Sequence, residues 1–376
     1  MISNPLIYLF TLAFIATAFK LLESKTQLKV FKYIPSVVMI YAFSMLLASL
    51  GTFEQNAEIT NIYKLTKSNL LPAMLFLMLL QVDLRHFAQL GKSLIIAYVL
   101  AVLSIAIGFI VVAFSFDFSS DMSAAFGALA GSWMGGTANM IAVGSALDVS
   151  EDAFAYALVV DSVNYTIWVM FLLFLVPFAH IFNRFTKSEE TFSPLGEVAC
   201  ACSMGAPRYW LLIALALFVS LVAQVLAREF VLLNTTTTIV LLASVFGIAG
   251  SFTKLRTLNG SNEVATTMLY IIIALIGSKA VIDNFSGVGQ YVLAGFCILL
   301  IHAFIMVVGA KLFKLDLFSI AVASLSNIGG VAAAPILAAT YNKNLVSIGV
   351  LMAIMGYLIG TFGGLLVGNI LMGLSH

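Results

Sequence analysis

The sequence predicts an all-α polytopic membrane protein made of two structurally repeated halves, inverted relative to one another, each with one helix broken at a glycine pair. Three observations carry that reading. The chain is 62% hydrophobic with 9% charged residues and a mean hydropathy of +1.09, outside the range of soluble domains. Its apolar residues fall in runs long enough to cross a bilayer. The motif Ser-x-x-Gly-Gly-x-Ala occurs twice, as Ser132 to Ala138 and as Ser326 to Ala332, at a separation of 194 residues.

Composition also excludes several classes. A net charge of +1 and a pI near 7.7, with basic residues confined to short loops, leave no stripe for nucleic acid. Three cysteines, two of them as Cys200-Ala201-Cys202, build no disulfide framework, and Cys-x-Cys without nearby histidine is weak evidence for a metal and reads as an incidental pair. The first apolar run has no basic residues before it and no small-residue cleavage site after it, so it reads as a retained span. No Ser/His/Asp, His-Glu-x-x-His or phosphate-loop pattern is present, so neither catalysis nor a cofactor is expected.

In chain order, runs of spanning length lie at 5–22, 33–53, 68–89, 91–116, 123–146 and 153–182, then at 208–229, 235–256, 263–282, 289–312, 316–341 and 345–373. Pro72 opens the third run, and the third and ninth end in polar residues. The stretch 183–208, with Arg184, Lys187, Glu189, Glu190, Pro194, Glu197 and Arg208, is the one long polar linker. It divides the chain into a first half, 1–182, and a second, 209–376. No polar stretch is long enough to form a soluble core.

The halves match beyond the glycine motif. At the same offset, Met74-Leu75-Phe76 corresponds to Met268-Leu269-Tyr270, and Arg85 to Lys279. Glycine pairs in mid-membrane leave backbone groups that must face protein, ligand or trapped water. Paired breaks in the two halves of a transporter point to its binding site, whereas a single pair could equally serve close helix packing. Loop charge sets the orientation. Lys20, Lys25, Lys29 and Lys32, then Arg85 and Lys92, mark cytoplasmic loops in the first half; Lys254 with Arg256, and Lys311 with Lys314, do so in the second. These loops share one side only if an odd number of crossings separates the halves. Twelve full crossings is then one too many or one too few, and a re-entrant segment is one way to settle the parity. An external N-terminus and a cytoplasmic C-terminus are expected.

Asp161 is the leading candidate for ion binding, because an ionised carboxylate inside the run 153–182 must be paired or hydrated. Asn164 follows at i+3 on the same helical face. Thr137, Asn139 and Asn327 supply uncharged oxygens beside the breaks for the same ion. Ser132, Trp133, Gly135, Gly136, Ser326, Gly329 and Gly330 are the candidates for contact with a solute, with exposed helix N-termini suited to an anionic group. Asp83, Arg85 and His86, and in the second half Lys279 and Asp283, read as solvated turns or gates. His302 reads as a hydrogen-bonded neutral histidine or a proton relay. Gln81 and Gln224 carry less.

Thr137-Ala138-Asn139, Val160-Asp161-Ser162-Val163-Asn164, Ser326-Asn327-Ile328-Gly329-Gly330 and Gly356-Tyr357-Leu358-Ile359-Gly360-Thr361 resemble the YjcL-like family, the domain of unknown function 819. That family is distantly similar to the sodium/proton antiporters and bile-acid-type sodium symporters. The resemblance implies two broken helices crossing at mid-membrane in a core domain that moves against a scaffold. It places Asp161 where those antiporters carry their ion-binding aspartate, although the adjacent Asn-Asp or Asp-Asp pair is missing. The expected activity is sodium-coupled secondary transport of a small organic solute in the inner membrane, with sodium or a proton as coupling ion. The expected assembly is a homodimer through scaffold helices. Sodium/proton antiport without solute is the alternative, as is an intramembrane sensor or enzyme on the same fold.

Overall fold

The structure, a computed structural model, describes residues 1–25, 36–54, 56–80, 90–188, 205–231, 234–258, 260–280, 287–342 and 345–375. Gln81, Asp83, Arg85, His86, Asp283, Cys200, Cys202 and most of the polar linker lie outside them. Regular structure among the described residues is helical, apart from one bridge between Ile2 and Phe53. The first half gives α1 (Pro5–Lys25), α2 (Ser36–Ser49), α3 (Ala57–Leu80), α4 (Lys92–Ala113), α5 (Ser120–Gly135), α6 (Thr137–Ala146) and α7 (Glu151–Leu175). A 3-10 turn (Val176–Phe178) leads into the short α8 (Ala179–Thr186), so the expected linker begins as helix. The second half gives α9 (Ala206–Glu229), α10 (Thr235–Ser251), α11 (Ser261–Gly277), α12 (Val288–Phe313), α13 (Leu317–Ile328), α14 (Gly330–Tyr341) and α15 (Val346–Leu374).

Among the described residues, six stretches are long and apolar enough to span a bilayer: α1, α4, the run Glu151–Thr186, α9, α12 and α15. The protein is therefore a multi-pass, all-α membrane protein. At 1.5 Å per residue the 14 residues of α2 reach about 21 Å, short of the hydrocarbon thickness of about 30 Å. Helix α3 starts well before its apolar run. Asn56 Oδ1 caps it by accepting from the Ile59 N–H at 2.8 Å, and only Leu71–Leu80 is continuously buried.

The chain forms two compact units, and each draws on both sequence halves. The halves 1–182 and 209–376 are thus not the units of packing. The first unit comprises Met1–Gln81, Val149–Ser162 and Ser203–Gly289. In it α3 packs against α9, α10 and α11. Ser220 Oγ donates to the Asn69 carbonyl at 2.8 Å, and Gly247 lets α10 approach the backbone of Phe76. Three buried tyrosines gather at one end. Tyr63 donates to Glu151 Oε1 at 2.7 Å and Tyr41 to the Glu151 carbonyl at 3.0 Å. Tyr8 pairs with Ser278 Oγ, and because that serine donates to the Leu275 carbonyl, the phenol is the donor. The first turns of α7 are anchored by these bonds. Thr60 near the start of α3 meets Lys279 just past the end of α11, so these corresponding helices run antiparallel.

The second unit comprises Val82–Asp148, Val163–Cys202 and Gln290–His376. Here too the corresponding helices α4 and α12 run antiparallel, with Gly108 against Ile298 and Ser104 bonded to His302. The two expected broken helices are broken where the motifs fall, but they do not continue onward as crossing helices. Helix α6 doubles back on α5: Gly127 faces Leu147, Gly131 faces Val143 and Gly135 faces Asn139. Helices α13 and α14, joined through Gly329 alone, likewise pack on one another. Gly136 at φ +89° and Gly330 at φ +58° explain the reversal, since side-chain-bearing residues pay to enter that region. The sequence marks a break; the sign of φ, which it does not display, turns the break into a hairpin.

Candidate functional site

The second unit contains both hairpin turns, and its residues can be built up from α15. Glycines every fourth residue on two helices let them meet backbone to backbone. A Cβ at Gly364 would sit 2.7 Å from the Gly131 Cα, and one at Gly356 would sit 2.9 Å from the Met134 carbonyl oxygen. This seam presses the first hairpin turn against the Gly-Tyr-x-x-Gly-Thr stretch, residues 356–361 of α15.

At the turn itself the Gly136 N–H donates to the Ser132 carbonyl at 2.6 Å, and the Gly136 carbonyl accepts from the Asn139 N–H at 2.9 Å. Asn139 is a brace: its Nδ2 donates to the Gly135 carbonyl at 2.6 Å, and its Oδ1 accepts from Thr361 Oγ1 at 2.6 Å. Thr137 opens α6 half-buried beside it. Ser132 is buried in α5. Trp133, expected as a stacking surface for solute, is instead fully buried, edge-on to Phe109 at 5.4 Å between ring centres. Its bulk supports the α5 arm because the α4 face opposite is aromatic.

Thr361→Val keeps the shape but removes the donor to Asn139. It should cost about 1–3 kcal/mol, the usual penalty for stranding a buried acceptor. The check is a lowered Tm of the purified protein, with insertion unchanged.

The second turn is less fully bonded. Asn327 Nδ2 donates to the Ala323 carbonyl at 2.8 Å, but Asn327 Oδ1 and Ser326 Oγ, both fully buried, have no hydrogen-bond partner among the described residues. Such atoms are rare because each costs desolvation energy. Gly329 lies against the Tyr165 ring of α7, Leu325 and Ala333, and Gly330 takes the left-handed conformation. The structure therefore brings Ser132, Trp133, Gly135, Gly136, Thr137, Asn139, Ser326, Asn327, Gly329 and Gly330 into one unit as two turns. Asn164 joins that unit, its Nδ2 donating to the Val292 carbonyl at 3.2 Å. Asp161, half-buried in the same helix α7, falls in the segment Val149–Ser162 of the first unit.

His302 is hydrogen-bonded on both ring nitrogens: Nδ1 to Ser104 Oγ at 2.7 Å and Nε2 to Ser324 Oγ at 2.8 Å. Trp168 Nε1 donates to Ser324 Oγ at 2.9 Å, and Ser104 Oγ donates to the Ala101 carbonyl at 2.9 Å. Donors and acceptors then run one way, from Trp168 through Ser324 to His302 Nε2, and from His302 Nδ1–H through Ser104 to the Ala101 carbonyl. A neutral imidazole with its proton on Nδ1 satisfies every member. Sequence reading picked out the histidine but not its partners. Ser104, Trp168 and Ser324 each sit singly in an apolar helix, and nothing in one dimension shows that four helices bring them together. The same holds for Tyr8, Tyr41 and Tyr63 of the first unit.

Over residues 10–374 the chain matches the family described as "Protein of unknown function (DUF819)", and it belongs to that family. No curated protein matches the chain.

Proposed function

We propose that this membrane protein is a cation-coupled secondary transporter, with sodium as coupling ion, that moves a small organic solute across the cell's inner membrane. The observation that carries the reading is the second hairpin turn, where Ser326 Oγ and Asn327 Oδ1 are buried without partners among the described residues. Two hard, neutral oxygens beside a helix break are the ligand type that transporters offer to sodium, together with backbone carbonyls freed at the break. Burying such atoms unpaired is costly unless something binds them. Asn139, whose amide is already taken up by Gly135 and Thr361, serves the first turn as a brace, with Thr137 the nearer free candidate there.

The inverted relation of the halves belongs to the same proposal. The antiparallel runs of α3 with α11 and of α4 with α12 support it. So does the hairpin geometry, because a hairpin enters and leaves by one face. With each hairpin returning to its own side, each half has one crossing fewer than the six apolar runs read from its sequence, an odd number, as the loop charges require. On this reading both chain ends lie on the external side, in contrast to the cytoplasmic C-terminus expected from sequence.

Purified wild-type protein should be stabilised by sodium and not by equal potassium, by about 2.7 kcal/mol when sodium is a hundredfold above its Kd. Asn327→Ala should lose most of that shift while folding normally without sodium, since it removes an unpaired acceptor. Equal responses to sodium and potassium, or an unchanged sodium response in Asn327→Ala, would overturn the assignment.

A further inference from the structure

Beside the His302 chain the second unit has a cavity of about 550 Å³, walled by Trp168, Phe171, Leu175, Phe182, Met306 and Ile320 among other almost wholly apolar groups. That volume is within the roughly 300–1,000 Å³ typical of small-ligand pockets. Its only polar groups near the floor, Trp168 Nε1, His302 Nε2 and Ser324 Oγ, are spent on one another, so the interior asks for an apolar occupant. Several wall residues continue onto the membrane-facing surface: Phe171, Phe178, Ile181, Phe185 and Val307 are each 39–57% exposed. The occupant can therefore come sideways from the bilayer.

The mouth is basic. Helix α8 follows the spanning part of α7 and is amphipathic, with Ile181, Phe182 and Phe185 on the cavity and the exposed Arg184 next to Phe185 in sequence. Lys311, at the end of α12, donates from Nζ to the Phe185 carbonyl and lies over the Phe185 ring, 4.3 Å from its centre. The nearest described carboxylate on α13, Asp316, is turned inward and caps that helix through Ser319. Asn183 Oδ1 of α8 also accepts from the Leu317 N–H at 2.8 Å, tying α8 to α13, the arm that ends at Ser326 and Asn327.

We propose that this cavity seats one acyl chain of an anionic phospholipid, with the phosphate held at the mouth by Lys311 and Arg184. Acyl chain and headgroup match the two parts of the site: a dry apolar interior open to lipid, and cations where an apolar wall meets the interface. Because Leu317, Ile320, Ala321 and Ser324 of α13 form one wall, an occupied cavity fixes that arm. The lipid thus sets how firmly the second hairpin is held. The binding claim does not depend on the transport reading.

The test is thermal unfolding of delipidated full-length protein in detergent, titrated with dioleoyl phosphatidylglycerol or dioleoyl phosphatidylcholine. Phosphatidylglycerol should act at lower concentration, by about fivefold for each engaged cation. Lys311→Gln and Arg184→Gln should erase that preference and leave the residual response to both lipids. Ala303→Phe, which fills the cavity, should weaken both lipids alike; Val307→Phe, at the more exposed part of the wall, is the second variant should the first fail to fold. Equal potency of the two lipids on wild type, full lipid response in the filled variants, or the same shift from glycerol phosphate alone would overturn the proposal.

Discussion

Asp161→Asn should abolish sodium-dependent solute uptake in proteoliposomes while the protein still expresses and inserts. The substitution keeps size and removes only charge. A carboxylate well inside a spanning helix costs about 2.5–3.5 kcal/mol even on the more lenient insertion scales, a cost the amide removes while keeping the side chain's size and a hydrogen-bonding oxygen. On the transport reading, what it removes is the negative charge that balances a monovalent cation. A carboxylate with its cation is nearly neutral and can be carried through a low-dielectric barrier, whereas either charge alone cannot. Coupling must also be reciprocal: if sodium tightens solute binding, solute tightens sodium binding by the same factor. Both linkages should vanish together in Asp161→Asn. Normal sodium-dependent uptake in the variant would make the carboxylate structural and leave the second hairpin turn to hold the coupling ion without it. Everted vesicles whose pH gradient collapses on adding sodium alone would instead point to antiport without solute.

Gly364→Val should give no folded protein. A Cβ at position 364 would meet the Gly131 Cα at 2.7 Å and the Gly131 nitrogen at 2.9 Å, both backbone atoms that no rotamer change can move. Overpacking usually costs about 1–3 kcal/mol when side chains can yield; here a whole helix must shift, so the cost lies above that range. Displacing α15 also parts Thr361 from Asn139 and so releases the first hairpin turn. Fluorescence-detected size exclusion should show aggregate. Gly373→Ala on the same helix, where nothing lies within 4 Å of the new Cβ, should run as a monodisperse peak. If Gly364→Val is also monodisperse, the close seam is not what holds α5 to α15.

Much of the helical framework was legible because membrane helices announce themselves by length and apolarity. The runs at 91–116 and 289–312 became α4 and α12 almost residue for residue. The breaks at Gly135-Gly136 and Gly329-Gly330 were legible too, since repetition at one offset is a one-dimensional signal. What was not legible needed a third dimension. Whether a chain leaving Gly136 goes on or turns back depends on backbone dihedrals, and both paths use the same residues. Trp133 reads equally well as a stacking platform or a packing element until Phe109 is seen against it. Among the polar candidates, Asn139 and Asn327 looked alike in sequence, yet one has both ends of its amide engaged and the other keeps a buried oxygen free of protein partners.

The bond from Trp168 to Ser324 has an optical consequence. The protein contains three tryptophans. Trp133 is sealed in the interior, and Trp210 is 68% exposed on α9. Trp168 alone has its indole N–H committed to the arm of the second hairpin, with the His302 ring 5.6 Å from its own. Indole emission responds to hydrogen bonding and to a neighbouring imidazole, so any displacement of α13 along α7 changes the colour and yield of this one fluorophore. In a Trp210→Phe background the movement of the hairpin can therefore be followed in real time without attaching a dye.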